Sequence, residues 1–176
     1  MTNPTYYIDS IVNLESKITE LNKTWTNIYL LVDENTKADC LPSVMEHVPF
    51  LKDANLLVLD SGEENKTLEI CDSLWSSLID TGADRKSLLI NLGGGVITDM
   101  GGFVASTFKR GIDFIHIPTT LLGQVDAAIG GKTGVNLEYS KNQVGTFAHP
   151  LFTFIDSQFL RTLPEREFMS GMGEVI

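Results

Sequence analysis

Between Leu88 and Asn142 the chain packs an apolar run, a glycine triplet, a threonine pair and spaced cations into 55 residues. The segment reads Leu92-Gly93-Gly94-Gly95-Val96-Ile97-Thr98-Asp99, then Ile117-Pro118-Thr119-Thr120, then Asp126, Gly130-Gly131-Lys132-Thr133 and Lys141-Asn142. Glycines let backbone N–H groups approach a phosphate closely, and a helix starting just after them adds its positive end. A dinucleotide is the natural occupant of such a corner. The cations that follow suit a second, phosphorylated or carboxylated ligand, so the pattern points to an enzyme with a cofactor and an anionic substrate.

Two familiar nucleotide motifs do not fit. Gly93 and Gly95 satisfy the start of G-x-G-x-x-G, but Thr98 stands at the third glycine, and Asp113 precedes the next apolar strand where a ribose-binding acid should follow it. Gly131-Lys132-Thr133 ends like a Walker A loop, yet Asp126 occupies the required glycine five residues before Gly131. The triplet is therefore a phosphate corner of another type. Asp99, four residues past Gly95, is expected in the first helical turn, where the dipole favours a carboxylate.

The elements that must position these groups alternate. Apolar runs at Asn27–Val32, Asn55–Asp60, Leu88–Leu92, Ile112–Ile117 and Leu151–Ile155 read as strands. Helices are predicted over Thr36–His47, from about Asn65 to Asp80 and from about Val96, where Ile97, Met100, Gly101, Val104, Ala105 and Phe108 mark one face. Leu121–Ala128 reads as a short helix, Ile129–Leu137 as an irregular or hairpin segment and Tyr139–Val144 as polar, with helical pattern again from Ser157. The class is α/β: a mostly parallel sheet flanked by helices, Rossmann-like, with ligands at the carboxyl ends of its strands. Those ends carry Asp33-Glu34, Asp60-Ser61-Gly62-Glu63, Gly93–Gly95 and Pro118-Thr119-Thr120. Two parts are expected: a nucleotide-binding domain over residues 1–156, and at 157–176 the start of a helical domain cut inside a helix without a capping glycine.

Composition limits the alternatives. A net charge of −10 argues against a nucleic-acid or anionic-membrane surface. The charge is uneven: residues 1–100 hold 7 Lys/Arg against 16 Asp/Glu and residues 101–176 hold 6 against 7, so cations in the motif-bearing half are local. Cys40 and Cys71, on separate predicted helices and without metal spacing, read as reduced, packed thiols. The N-terminus lacks the regions of a signal peptide, and no apolar run approaches the ~18 residues of a membrane span, so the cytoplasm is the expected compartment.

Taken in order, Gly93-Gly94-Gly95-Val-Ile-Thr-Asp99, Lys109-Arg110-Gly111, Pro118-Thr119-Thr120-Leu-Leu, Val125-Asp126-x-x-Ile-Gly-Gly-Lys132-Thr-Gly, Lys141-Asn142 and Gly-Met-Gly-Glu174-Val-Ile resemble the 3-dehydroquinate synthases. The likeness covers most of residues 55–176, with Gly62-Glu63 and Lys66 upstream. It implies an NAD-dependent enzyme of the shikimate pathway that uses a divalent metal, zinc or cobalt. The reaction would cyclise 3-deoxy-D-arabino-heptulosonate 7-phosphate to 3-dehydroquinate with loss of phosphate. By the same resemblance, Asp33, Glu63, Lys66, Gly94, Gly95, Val96, Asp99, Thr119, Thr120, Leu122, Phe159 and Thr162 would line the NAD site, with Lys132 and Lys141 reaching it. Asp126, Lys132, Lys141 and Asn142 would meet the phosphorylated sugar-acid substrate, and Arg110 would reach its phosphate from the partner of a homodimer. Glu174 would be the first metal ligand; the family's other two are histidines far downstream, and His47, His116 and His149 do not replace them.

Each residue also has a plainer reading: Asp126 as a helix cap, Lys132 as a turn cap, Lys141 as a solvated charge. Other sugar-phosphate cyclases such as the 2-deoxy-scyllo-inosose synthases share the machinery, and glycerol dehydrogenases share the glycine triplet and threonine pair. With one metal ligand in hand, the 176-residue chain is expected to bind NAD but not to turn over by itself, and a non-catalytic nucleotide-binding module is the alternative of another class.

Overall fold

The structure, a computed structural model, describes residues 4–138 and 140–175. Residues 1–3, Tyr139 at the head of the polar stretch and Ile176 lie outside the described residues. In chain order the strands are β1 Tyr6–Ile8, β2 Ile28–Asp33, β3 Asn55–Leu59, β4 Leu88–Gly93, β5 Asp113–Pro118, β6 Lys132–Leu137, β7 Ser140–Phe147 and β8 Thr153–Ile155. Six of them form a parallel sheet in the order β1-β8-β5-β4-β2-β3, while β6 and β7 pair antiparallel as a separate hairpin. The chain runs outward from β2 to β3 and then returns to lay β4 on the other side of β2. That reversal opens a crevice beyond the carboxyl ends of β2 and β4, where open α/β sheets bind their ligands.

The helices are α1 Leu14–Glu20, α2 Glu34–Asp39, α3 Leu41–His47, α4 Leu68–Asp80, α5 Gly95–Thr107 and α6 Glu165–Met172. Strand periodicity divides the core between the two faces of the sheet. Leu30, Val32, Ile90, Leu92, Ile115 and Ile117 pack with Leu14, Ile18, Leu41 and Val44 of α1 and α3. Tyr29, Leu31, Leu89 and Phe114 pack with Cys71, Leu74 and Leu78 of α4 and Ile97, Met100 and Val104 of α5. Because β4 is buried at every position, it reads in sequence as an apolar run interrupted only by Asn91. Each fully buried aliphatic side chain of these central strands contributes ~1.5–3 kcal/mol of apolar stabilisation, alongside the helix residues packed on both faces.

Several expectations need correction. The single helix over Thr36–His47 is two, broken at Cys40, because Pro42 near the start of α3 has no N–H to continue α2. Cys40 therefore stands at that break, whereas Cys71 is inside α4. Burial pushes the Cys40 thiol up to about 11 and the Cys71 thiol up to about 12, so both remain protonated. The stretch Leu121–Ala128 winds more widely, with a π-turn at Gly123–Ala127. The polar stretch from Ser140 belongs to β7, which extends to Phe147. Asp99 is the fifth residue of α5 and lies past the first turn, so the helix end is not what holds its carboxylate. Glu174 follows α6 in a turn whose N–H bonds Gly171 O at 3.1 Å, with Gly173 as the cap.

His116 in β5 is packed edge-on against Phe114 at 5.1 Å between ring centroids, and its Nδ1 is 3.2 Å from Asn91 Nδ2 in β4. Burial pushes this ring down to about 3 from the usual 6.5. The unfolded ring takes up a proton near 6.5 and the folded one only near 3, so stability falls as pH drops through that window. Urea denaturation followed from pH 7 to 4 should show His116 contributing a slope of up to about 1.4 kcal/mol per pH unit. A His116→Gln variant should lose that slope. An unchanged slope would show that His116 is not held neutral.

Candidate functional site

The glycine corner stands at the carboxyl end of β4, beside the crevice. Gly94 is the N-cap of α5 and offers no side-chain cap. The first intrahelical N–H is that of Thr98, which donates to Gly94 O at 3.0 Å, so the N–H groups of Gly95, Val96 and Ile97 have no helical acceptor. A helix of 13 residues adds its positive dipole end to these bare donors. The corner is sealed from the side by β5: Thr119 N donates to Gly93 O at 3.0 Å, and Thr120 Oγ1 accepts from Gly123 N at 3.0 Å. A Cβ on Gly94 would lie 2.9 Å from Thr120 Cγ2, and one on Gly95 would lie 3.2 Å from Ala127 Cβ. The glycines thus bring two loops together as well as exposing N–H groups. Leu122 immediately precedes the π-turn.

Beside the corner, Lys66 is buried and its Nζ donates to Asp99 Oδ2 and to Asn142 Oδ1, both at 2.6 Å. Burial pushes the Asp99 carboxyl above its ordinary range, and the Lys66 ammonium pulls it back without cancelling the shift. Glu63, in the 3-10 turn Glu63–Asn65, accepts from Asn136 Nδ2 at 2.9 Å and has Lys141 Nζ at 3.9 Å. One polar web therefore joins the turn after β3, helix α5 and the β6–β7 hairpin.

The web borders a cavity of about 470 Å³ whose lining includes Asp99, Asp126, Lys132 and Asn142, with Ile129 and Phe147 as apolar members. Asp126 comes from the π-turn, Lys132 from the first position of β6 and Asn142 from β7. Gly130 and Gly131, at φ +86° and +71°, make the turn that starts β6, and His149 packs directly against Gly131. Asp33 lies one strand over, where its Oδ1 accepts from Thr36 N at 2.7 Å and caps α2. Phe159 is buried in the core on the α1–α3 face, and Thr162 Oγ1 donates to Phe159 O at 3.4 Å.

Two sequence-predicted residues are not brought to this site. Arg110 lies past the far end of α5, just before β5 begins, and thus at the amino edge of the sheet. Lys109 and Arg110 both have positive φ there, +48° and +72°. Glu174 is exposed and stands apart from other candidate ligands: no group of three His, Cys, Asp or Glu residues converges among the described residues, which by themselves do not make a metal site. Conversely, three residues that sequence reasoning missed help to position the site. Gln124 Nε2 donates to Pro118 O at 3.1 Å and to Asp156 O at 2.9 Å, fixing the turn that carries Asp126. Asp156 Oδ2 in turn accepts from Ile11 N at 2.6 Å. Asn136 bridges Glu63 and Asn142, and its only sequence signal is an amide in the otherwise apolar run Val135–Leu137.

Fold and corner together define a doubly wound α/β protein whose crevice opens onto a charged, polar cavity. Residues 56–170 match the family model described as 3-dehydroquinate synthase N-terminal, and the chain belongs to that family. It is 51% identical over 152 residues to the 3-dehydroquinate synthase of Parabacteroides distasonis, an alignment covering 86% of this chain and 43% of that relative. It superposes with a TM-score of 0.81 and 30% identity on a 2-deoxy-scyllo-inosose synthase complexed with carbaglucose-6-phosphate, NAD⁺ and Co²⁺, covering 96% of this chain and 46% of that one. The corresponding values for the 2-epi-5-epi-valiolone synthase of Streptomyces hygroscopicus subsp. jinggangensis 5008, with NAD⁺ and Zn²⁺ bound, are 0.88, 27%, 99% and 49%. The chain thus spans about half the length of the proteins it matches.

Removing Lys66 would leave the Asp99 carboxylate buried without its counter-ion. A Lys66→Met variant should lose on the order of 3 kcal/mol of stability in urea denaturation. Adding Asp99→Asn should restore part of that loss, because the unpaired charge is gone. A double variant less stable than Lys66→Met would show that the pair is not coupled in this way.

Proposed function

We propose that this chain supplies the NAD-binding part of a 3-dehydroquinate synthase. The complete protein would convert 3-deoxy-D-arabino-heptulosonate 7-phosphate to 3-dehydroquinate, with a divalent metal completed by residues other than those described. The observation that carries the reading is the uncapped glycine corner opening beside a cavity that holds Asp99, Asp126, Lys132 and Asn142. The relatives named 3-dehydroquinate synthase support the substrate assignment, and the NAD⁺-bound cyclase structures support the cofactor. Residues 1–156 form the nucleotide-binding domain in this reading, and 157–176 begin the helical domain. Two buried, unpaired cysteines suit a reducing cytoplasm, and no helix among the described residues is long and apolar enough to cross a membrane.

NAD⁺ bound at this corner would supply reversible hydride transfer, the chemistry that can acidify a C–H beside a substrate hydroxyl for phosphate elimination. The chain's own groups bind and orient. The bare N–H groups of α5 hold the pyrophosphate, with Val96, Thr119, Thr120 and Leu122 around it. Asp33 and Glu63 receive ribose hydroxyls. Asp99 is kept in place by Lys66 at the edge between cofactor and substrate. Phe159 supports the crevice from the core, and Thr162, bonded to the Phe159 carbonyl, stands beside it. Asp126 accepts a substrate hydroxyl, while Lys132, Lys141 and Asn142 hold its anionic oxygens. Arg110 contributes from a second copy in a homodimer.

A second reading, another sugar-phosphate cyclase, is favoured by the 0.81 TM-score to 2-deoxy-scyllo-inosose synthase. Turnover of the complete protein on glucose 6-phosphate rather than the heptulosonate phosphate would establish it.

Calorimetric titration should show that this chain binds NAD⁺ and that Gly94→Asp abolishes the signal, since the new carboxylate would sit over the α5 N–H groups and against Thr120. Equal heats from the two proteins would remove the corner from the nucleotide site. The same chain, given zinc or cobalt and the heptulosonate phosphate, should release phosphate only at background.

In the complete protein, Lys132→Ala and Arg110→Ala should each lower kcat/KM by about one to two orders of magnitude while NAD⁺ binding persists. Mixed dimers of the two impaired variants should regain part of the activity, through the one site that keeps both residues. Verified heterodimers without activity would place Arg110 in its own subunit or in a folding role.

A further inference from the structure

Asn136 occupies an irregularity in the β6–β7 ladder, where the register shifts between Val135 and Leu137. A bulge of this kind re-aims a side chain out of the strand pairing. The Asn136 backbone N–H leaves the hairpin and donates to Lys66 O at 2.8 Å. Its Nδ2 donates to Glu63 Oε1 at 2.9 Å and to Glu63 O at 3.4 Å, and its Oδ1 accepts from Asn142 N at 2.9 Å. Asn142 is held at φ +54°, and its own carboxamide oxygen receives Lys66 Nζ. We propose that Asn136 is a positioning residue that fixes the Glu63 carboxylate and the Asn142 backbone in one relation, so that the nucleotide side and the substrate side of the crevice form a single unit.

The residue type follows from the geometry. The position needs a donor toward Glu63 and an acceptor toward Asn142 on one short, planar group. Alanine has neither, and aspartate keeps the acceptor but turns the donor into a charge facing a carboxylate. The charged groups around the position are Glu63 and Lys66 on the turn, Glu138 and Lys141 on the hairpin and Asp99 on α5. The functional sense of this unit rests on the proposed nucleotide site; the positioning itself does not.

The test uses this chain with Asn136→Ala and Asn136→Asp, read by residue-resolved hydrogen exchange and by NAD⁺ calorimetry at pH 8 and pH 5.5. In Asn136→Ala, exchange at the Asn142 N–H should rise about tenfold while the other ladder amides of β6 and β7 keep their protection, and NAD⁺ affinity should fall about tenfold. In Asn136→Asp, the Asn142 N–H should stay protected. Its NAD⁺ affinity should fall further than that of Asn136→Ala at pH 8 and recover toward wild type at pH 5.5, where protonation of the introduced carboxyl, favoured by the carboxylate it faces, restores a donor. Unchanged exchange at Asn142 in Asn136→Ala would overturn the proposal, as would identical behaviour of the two variants at both pH values. Should Asn136→Ala not fold, protection of Asn142 and the pH-dependent recovery in Asn136→Asp decide alone. Failure of the unsubstituted chain to bind NAD⁺ would overturn the nucleotide assignment, and the exchange data would still decide the positioning.

Discussion

The Lys66 ammonium, with only 4% of its side chain exposed, sets the constraint under which the rest of the site is built. Taking such an ion out of water costs several kcal/mol, which is recovered only if good geometry and charge surround it. Asp99 and Asn142 supply both, at 2.6 Å each. Their bonds reach across three elements with no ladder between them, since the β6–β7 hairpin is not paired with the main sheet. A two-stranded hairpin is marginal by itself in water. Lys66 therefore does for the hairpin what strand pairing does elsewhere, and the cost of burying it makes any other hairpin position expensive.

Helix α5 makes that arrangement possible through what it lacks. Gly101 and Gly102 sit inside the helix, where each costs about 1 kcal/mol relative to alanine. A Cβ on Gly101 would collide with the Asn91 carboxamide, and one on Gly102 would approach Thr133 Cγ2 to 2.6 Å. The first glycine lets the helix lie close over the buried Asn91–His116 pair, and the second lets β6 lie close on the helix. Val135 then reaches the core shared by α4 and α5, and Ser106 Oγ meets Thr146 Oγ1 at 2.7 Å. The lost helix propensity is offset by contacts that no larger residue would permit. Asp99 consequently faces the hairpin at the distance Lys66 requires.

How much of this was legible depends on whether a residue's role is local. The strands β2, β4 and β5 were legible because burial on both faces favours apolar runs, β3 because its sequence is apolar although it is a half-exposed edge strand, and the corner because glycine triplets ahead of a helix have few other uses. β1 was not, since Tyr6–Ile8 gains its order only by pairing with β8 almost 150 residues later. The strand character of Ser140–Phe147 was hidden because most of it is exposed and carries no alternation. Asp99 was found but misassigned: its partner Lys66 is 33 residues away and invisible to a local argument about helix ends. Asn136, Gln124 and Asp156 act through bonds to main-chain groups of distant segments, and an amide or carboxylate leaves no periodic signature of such a bond.

Charge also decides which residues can meet a phosphate. In the cavity the side chains of Asp99 and Asp126 oppose Lys66 and Lys132, but Lys66 is committed to Asp99 and is buried beneath the lining. Lys132 is then the cation that faces the open space, and it shares that space with Asp126. Two or more negative charges on an incoming phosphate would meet a nearly neutral surface, and an unpaired anion in a partly dry cavity is costly. Further positive charge has to come from beyond this lining, where Lys141 stands on the hairpin with its Nζ 3.9 Å from Glu63. Arg110 lies past the end of α5, with about 18 Å of helix between Gly95 at the glycine corner and Thr107. Two consecutive non-glycine residues in the left-handed region, Lys109 and Arg110, hold this segment in a conformation that costs of order 1–3 kcal/mol at each position. Such strain is retained where the surroundings or a task demand it, and the contact with a second copy proposed above for Arg110 would be such a task.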